Sequence, residues 1–192
     1  MLRPFGPPRD AQRYAHFVRV AALPVSHKMC IALVAPVAGV NCKMNIEASI
    51  KEFVDFILVE SGVEDDIGLL LEHLDKLPII VSSAKFTFDE KDYADAPNKD
   101  YKTIRSKIES RFPKIGYYNT VLEISENLEN TEISVGDAVD DLADIVGDLL
   151  DVLWYFKNTS EDDALWHLEQ SYISHWGLHL RSLQLYLHEL WW

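Results

Sequence analysis

The sequence predicts an all-α fold, a single-domain helical bundle of about five to seven helices. Three observations predict it. Apolar residues recur at helical spacing through most of the chain after Met44, the breaks between those segments are short, and only eight glycines occur in 192 residues. No obvious pair of alternating strands competes with that reading.

The first 43 residues stand apart. They hold six basic groups (Arg3, Arg9, Arg13, Arg19, Lys28, Lys43) against one acid, Asp10, whereas the rest of the chain carries a net charge of −18. Both cysteines, Cys30 and Cys42, lie there, so a disulfide framework for the body is excluded. Lys28 and the run MCIALVAPVAGV resemble a secretory signal, but the arginine-rich leader and the lack of a clean cleavage site argue against export. Residues 1–43 are therefore expected to be a disordered extension or a stretch upstream of the true start, with residues 44–192 forming the bundle.

From Met44 the elements follow in order. Residues 46–60 place Ile46, Ile50, Phe53, Val54, Ile57 and Leu58 on one helical face, with Asn45 positioned to cap and Gly62 to punctuate. Residues 65–77 repeat the pattern up to Pro78, which should stop the helix. The next run, IIVSSAKF, is read as further helix, and residues 89–100 as an exposed loop. A basic island follows: Lys99, Lys102, Arg105, Lys107, Arg111 and Lys114. Pro113 and Gly116 bound a turn into YYNTVLEISENL, read as a short helix. A long helix is expected from about Val135 to Phe156, and a last one from a Ser160 cap to about Leu190.

The long helix poses the chemical question. DAVDDLADIVGDLLD carries six aspartates and no cation in fifteen residues. At 3.6 residues per turn, Asp137, Asp140, Asp141, Asp144, Asp148 and Asp151 fall on one stripe about 100° wide, opposite the apolar face. Aspartate is a poor mid-helix residue, and like charges at i,i+4 cost about 0.2–0.5 kcal/mol each. Something cationic should therefore sit near part of the stripe: the basic island, Arg181 or a metal ion. The last helix offers His175 and His179, four residues apart on one face, with His167 and His188 on the polar side. Gly177 between them costs about 1 kcal/mol relative to alanine, which suggests the close approach of a neighbouring backbone. The pair lacks the glutamate of an HExxH site, so a carboxylate-bonded core pair competes with a metal site of Asp144, Asp148, His175 and His179.

DDLADIVGDL, followed by an ALW segment and SHWGLHL, with the upstream pair Tyr117-Tyr118, resembles the bacterial domain-of-unknown-function family numbered five-zero-six-three. The resemblance is strongest over residues 112–188 and extends plausibly from Met44. It implies an all-helical bacterial protein and brings no activity or catalytic residue with it.

Net charge −13 opposes binding to nucleic acid or anionic membranes and favours a basic partner. The first-ranked expectation is a cytoplasmic interaction or adaptor module, not an enzyme, with Tyr117, Tyr118, Trp191 and Trp192 as interface candidates and no required cofactor. Oligomers are allowed by that reading. The alternative is a metal- or small-ligand-binding bundle using Asp140, Asp141, Asp144, Asp148, His175 and His179. A hydrolase ranks below both, because no nucleophile elbow, phosphate loop or CxxC is present.

The domain boundary is directly testable. A chain of residues 44–192 should match the full-length protein in melting temperature and helical circular dichroism. A large loss of stability on truncation would show that the first segment packs into the core.

Overall fold

The computed structural model describes residues 44–59, 67–121, 124 and 130–192. The expectations for residues 1–43, and for Gly62, lie outside the described residues. Helix α1 spans Ile46–Leu58, and Asn45 caps it as its sequence suggests, its Oδ1 accepting from the Ala48 N–H at 3.0 Å. Its inner face buries Ile50, Phe53, Val54, Phe56 and Ile57.

Helix α2, Ile67–Ser83, corrects the reading of Pro78 as a stop, because the helix runs through it. Proline forfeits a backbone hydrogen bond to the preceding turn. Leu77 and Ile80 nonetheless keep the apolar stripe on the core, and that burial outweighs the loss. IIVSS is accordingly helical, but Ala84, Lys85 and Phe86 are not. The hydroxyls of Ser82 and Ser83 both donate to the Ile79 carbonyl, at 3.0 and 2.7 Å, and so draw it away from the backbone ladder. Helix α3, Tyr101–Arg111, is capped by Asp100, and it buries Ile104 and Ile108.

A second correction concerns YYNTVLEISENL. Tyr117–Val121 form a strand, β1, paired antiparallel with β2, Ile133–Asp137; Tyr118 faces Gly136 and Val121 faces Ile133. The remainder of that stretch, apart from Ile124, lies outside the described residues. The physical reason is a period of two: Tyr118 and Thr120 turn inward while Tyr117, Asn119 and Val121 turn out. The ribbon does not change the fold class, since every other element is helical.

Because β2 runs straight into the next element, helix α4 covers Ala138–Asn158 rather than starting at Val135. Asp137 is its N-cap, accepting from the Val139 and Asp140 N–H groups at 3.1 and 3.4 Å, and so is not part of the helical stripe. Helix α4 is the spine of the bundle. It touches α1 and α3, helix α5 (Glu161–Ser171), helix α6 (Gly177–Trp191) and β2. Its buried face includes Leu142, Ile145, Val146 and Leu149. Among the described residues no helix is long and apolar enough to cross a membrane.

The last helix begins as expected, with Ser160 Oγ accepting from the Asp163 N–H at 3.1 Å. Between α5 and α6, however, Tyr172–Trp176 form a π-helical turn. It delivers Trp176, fully buried, into the core, where its indole N–H donates to Ser171 Oγ at 3.0 Å. Gly177 is needed here: a Cβ would collide with the carbonyl of Tyr172 and press on its ring. The close backbone belongs to the preceding turn of the same helix, not to a neighbouring element as its sequence position suggested.

Helix propensity alone says that Gly177→Ala stabilises by about 1 kcal/mol. The collision with Tyr172 reverses the sign. The variant should unfold at lower denaturant than the wild type, by about 1–3 kcal/mol. A gain in stability would show that the π turn closes without cost.

Candidate metal centre

The wet face of α4 meets the π turn and α6 along a row of carboxylate–imidazole contacts. His175, at the end of the π turn, places Nδ1 2.8 Å from Asp148 Oδ2. His179, one turn later, places Nδ1 2.7 Å from Asp141 Oδ1 and Nε2 3.7 Å from Asp144 Oδ2. The two rings lie edge to face with centroids 5.0 Å apart. One donor atom from each of Asp144, His175 and His179 falls within a 4.8 Å span. Of the polar residues singled out in the sequence, the structure brings Asp141, Asp144, Asp148, His175 and His179 together here.

Asp141 is the anchor. It is 7% exposed, and besides His179 it accepts from the Tyr118 hydroxyl at 2.5 Å. Tyr118 can reach it because Gly136 lies opposite on β2: a Cβ there would occupy the space of the tyrosine ring. The ring also stacks on Tyr186 of α6 at 4.8 Å. Burial, reinforced by Asp141, holds the Tyr118 phenol above its usual pKa, so it remains a donor. Tyr118 therefore belongs to the site's framework. Of the aromatic interface candidates, Tyr117 is 74% exposed and Trp191 and Trp192 also face solvent.

The other aspartates find partners elsewhere. Asp140 leaves the cluster: it accepts from Tyr101 Oη at 2.5 Å and Arg105 Nη1 at 2.9 Å. Arg105 Nη2 donates to Asp137 at 2.6 Å, and Lys99 bonds both Asp151 and, at 2.9 Å, the Gly147 carbonyl. The basic island thus supplies two of the cations the stripe called for. Arg181 does not; it donates to Gln184 and Tyr172. Arg111 lies over the Phe56 ring at 4.6 Å. His167, expected on the polar side, is instead half-buried, stacked on Tyr155 at 3.6 Å.

Electrostatics separate the two ends of the cluster. The hydrogen bond that Asp141 accepts raises the His179 pKa above its usual value, against the opposing effect of burial. Burial pushes the Asp144 carboxyl up, with Asp140 adding to it, although His179 and His175 pull the other way. Tyr101 also hydrogen-bonds to Asp144 and lowers its pKa, but burial remains the largest effect on this carboxylate beside two imidazoles. In each ring Nδ1 is engaged by an aspartate, and Nε2 is the nitrogen available to a ligand. Sequence pattern offered Arg105, through the basic island, as a counter-charge for the stripe, but it could not foresee Tyr118 or Tyr101 in this framework, because each arrives from a distant element.

Comparison with known proteins agrees with this architecture. The crystal structure of protein BF1032 from Bacteroides fragilis is similar, with a TM-score of 0.56 at 19% identity, covering 77% of this chain and 90% of that one. At that identity the likeness shows the fold. No curated protein matches the sequence. Residues 45–191, almost the whole bundle, match the domain of unknown function DUF5063, and the chain belongs to that family.

Proposed function

We propose that this bundle binds a divalent first-row transition metal, with Asp144, His175 and His179 as ligands. The observation that supports it is the anchoring of both imidazoles through Nδ1 on Asp148 and Asp141. Metal-bound histidines are commonly held in this way, with a carboxylate on the other nitrogen fixing tautomer and ring orientation. Two imidazoles and one carboxylate suit zinc or iron(II) and leave coordination positions open. Donors at about 2.1 Å from one ion lie about 3.4 Å apart in a tetrahedral shell. The separation of 3.7 Å between His179 and Asp144 is close to this, and the span of 4.8 Å must close by about 1.4 Å.

This reading stands ahead of an acidic docking surface for a physical reason. Asp137, Asp140 and Asp151 are already ion-paired within the chain to Arg105 and Lys99, which offset two of their three charges and leave less for a basic partner.

Zinc added to chelator-treated protein should raise its melting temperature by several degrees, since ligand at a hundredfold above Kd stabilises by about 2.7 kcal/mol. Asp144→Asn, which preserves shape, should abolish most of the shift while leaving the metal-free melting temperature unchanged or higher. No bound metal on elemental analysis and no shift with zinc, iron(II), cobalt or nickel would overturn the proposal.

The pH dependence of the two forms should be opposite. Without metal, the folded pKa of His179 lies above the unfolded value of about 6.5. Its stabilisation is complete below pH of about 6.5 and is lost as pH rises through the folded value. With metal, neutral imidazole is the ligand, and protons compete with the ion. The metal-induced shift should therefore grow across the interval in which the metal-free protein loses stability. A shift independent of pH would exclude His179 as a ligand.

A further inference from the structure

A different site lies beside α4 and α5, where the segment between α2 and α3 packs without regular structure. Three hydrogen bonds pin that segment. The Thr87 N–H donates to Asp162 Oδ1 at 3.1 Å, Ser160 Oγ donates to Asp89 Oδ2 at 2.6 Å, and the Ala96 N–H donates to Tyr155 Oη at 3.3 Å. Tyr93 Oη also donates to Asp89, at 2.9 Å. The result is a preformed cavity of about 360 Å³ between this segment, α4 and α5.

Its lining has two chemistries. Four aromatic rings contribute to it: Phe88, Tyr93, Tyr155 and Trp166. Phe88 and Trp166 meet edge to face at 6.4 Å, and Tyr155 stacks on His167. Four carboxylates, Asp89, Asp92, Asp95 and Asp163, face a single cation, Lys91. The acids of the first turn of α5 complement its dipole and Asp89 accepts from its capping Ser160, but Asp92 and Asp95 come from another segment and have no such reason to gather there.

Two further observations point to a cation. Lys91 Nζ already sits 4.6 Å over the Tyr93 ring, so that ring face accepts an ammonium. Asp163 Oδ2 is buried without a hydrogen-bond partner among the described residues. Nor does His167 balance these charges. Burial lowers its pKa, against the pull of Asp163, Asp95 and Asp151, and at neutral pH the imidazole is uncharged.

We propose that this cavity binds an organic cation of the alkylammonium class, the rings packing its apolar surface and the aspartates answering its charge. The volume is that of a small-ligand pocket, and the pinned walls reduce the ordering cost of binding. The Lys91 ammonium competes for the same rings. The site shares no residue with the Asp144–His175–His179 cluster and does not depend on it.

The test uses the full-length chain, following the Trp166 indole by NMR during titration. Choline and n-butylammonium are the charged probes, and 3,3-dimethylbutanol is the uncharged isostere of choline. The charged probes should give saturable shifts, with the isostere at least about tenfold weaker. Lys91→Ala should tighten binding, and Asp163→Asn should weaken it. An Ala-Lys-Ala peptide separates the sources of the cation. Binding of the peptide at least as tight as n-butylammonium assigns a lysine side chain, and weaker binding assigns a free amine. Equal affinity for the isostere, or no saturable shift with any ammonium up to about 10 mM, overturns the proposal, since a pocket of this kind should reach the millimolar range.

Discussion

Mutual repulsion among the aspartates along α4 and its cap is offset by partners from α3, the chain before it, β1, the π turn and α6. Arg105 of α3 bridges Asp137 and Asp140, the chain before α3 sends Lys99 to Asp151, and β1 sends Tyr118 to Asp141. The π turn and α6 send His175 and His179 to Asp148 and Asp141. Taken singly, the partly exposed ion pairs are worth about 0–1 kcal/mol each. Asp141 weighs more, because a carboxylate so nearly buried is costly unless its oxygens are bonded, and both are. The apolar face of α4 holds the bundle together. Its polar face sets how α3, the ribbon and α6 are placed around it.

The π turn links packing to chemistry. It seats Trp176 in the core and leaves His175 on the side facing α4, one turn from His179. Gly177 makes that geometry available, and its helix-propensity cost has a structural return in the close passage of the Tyr172 carbonyl. Asp144 then lies between two anchored imidazoles with burial raising its pKa, a position in which either a proton or a metal relieves it. The aromatic cavity beside α5 follows a different logic. There the carboxylates are combined with four aromatic rings beside the single imidazole of His167, which favours a large, weakly hydrated cation over a compact one.

Much of this was legible in the sequence, for reasons that also explain what was not. Apolar periodicity over α1, α4 and α5–α6 is long enough to identify helices, and Asn45 and Ser160 mark two of their starts. Rotation alone could place the stripe on one face of its helix and the histidine pair on one face of another, but not decide that the two faces meet, nor that Asp140 turns away to Tyr101 and Arg105. The strands could not, because five residues of alternation in Tyr117–Val121 are too few to declare themselves, and their partner lay inside a segment that read as helix. Gly136 opposite Tyr118 was the available hint. Pro78 misled because local propensity was trusted over the burial of Leu77 and Ile80. The π turn was invisible, since a π turn has no pattern of its own, and only Gly177 betrayed crowding.

Asp148 and Asp141 stand at hydrogen-bond distance from Nδ1 of His175 and His179, and the proposed metal site requires that Nδ1 carry the proton and Nε2 keep its lone pair in each ring. Nitrogen-15 NMR of the metal-free protein at alkaline pH reads the tautomers of both rings directly. The Nδ1–H tautomer is expected for both, with slow exchange of the His179 proton because Asp141 is buried. Predominance of the Nε2–H tautomer in His179 would contradict this expectation.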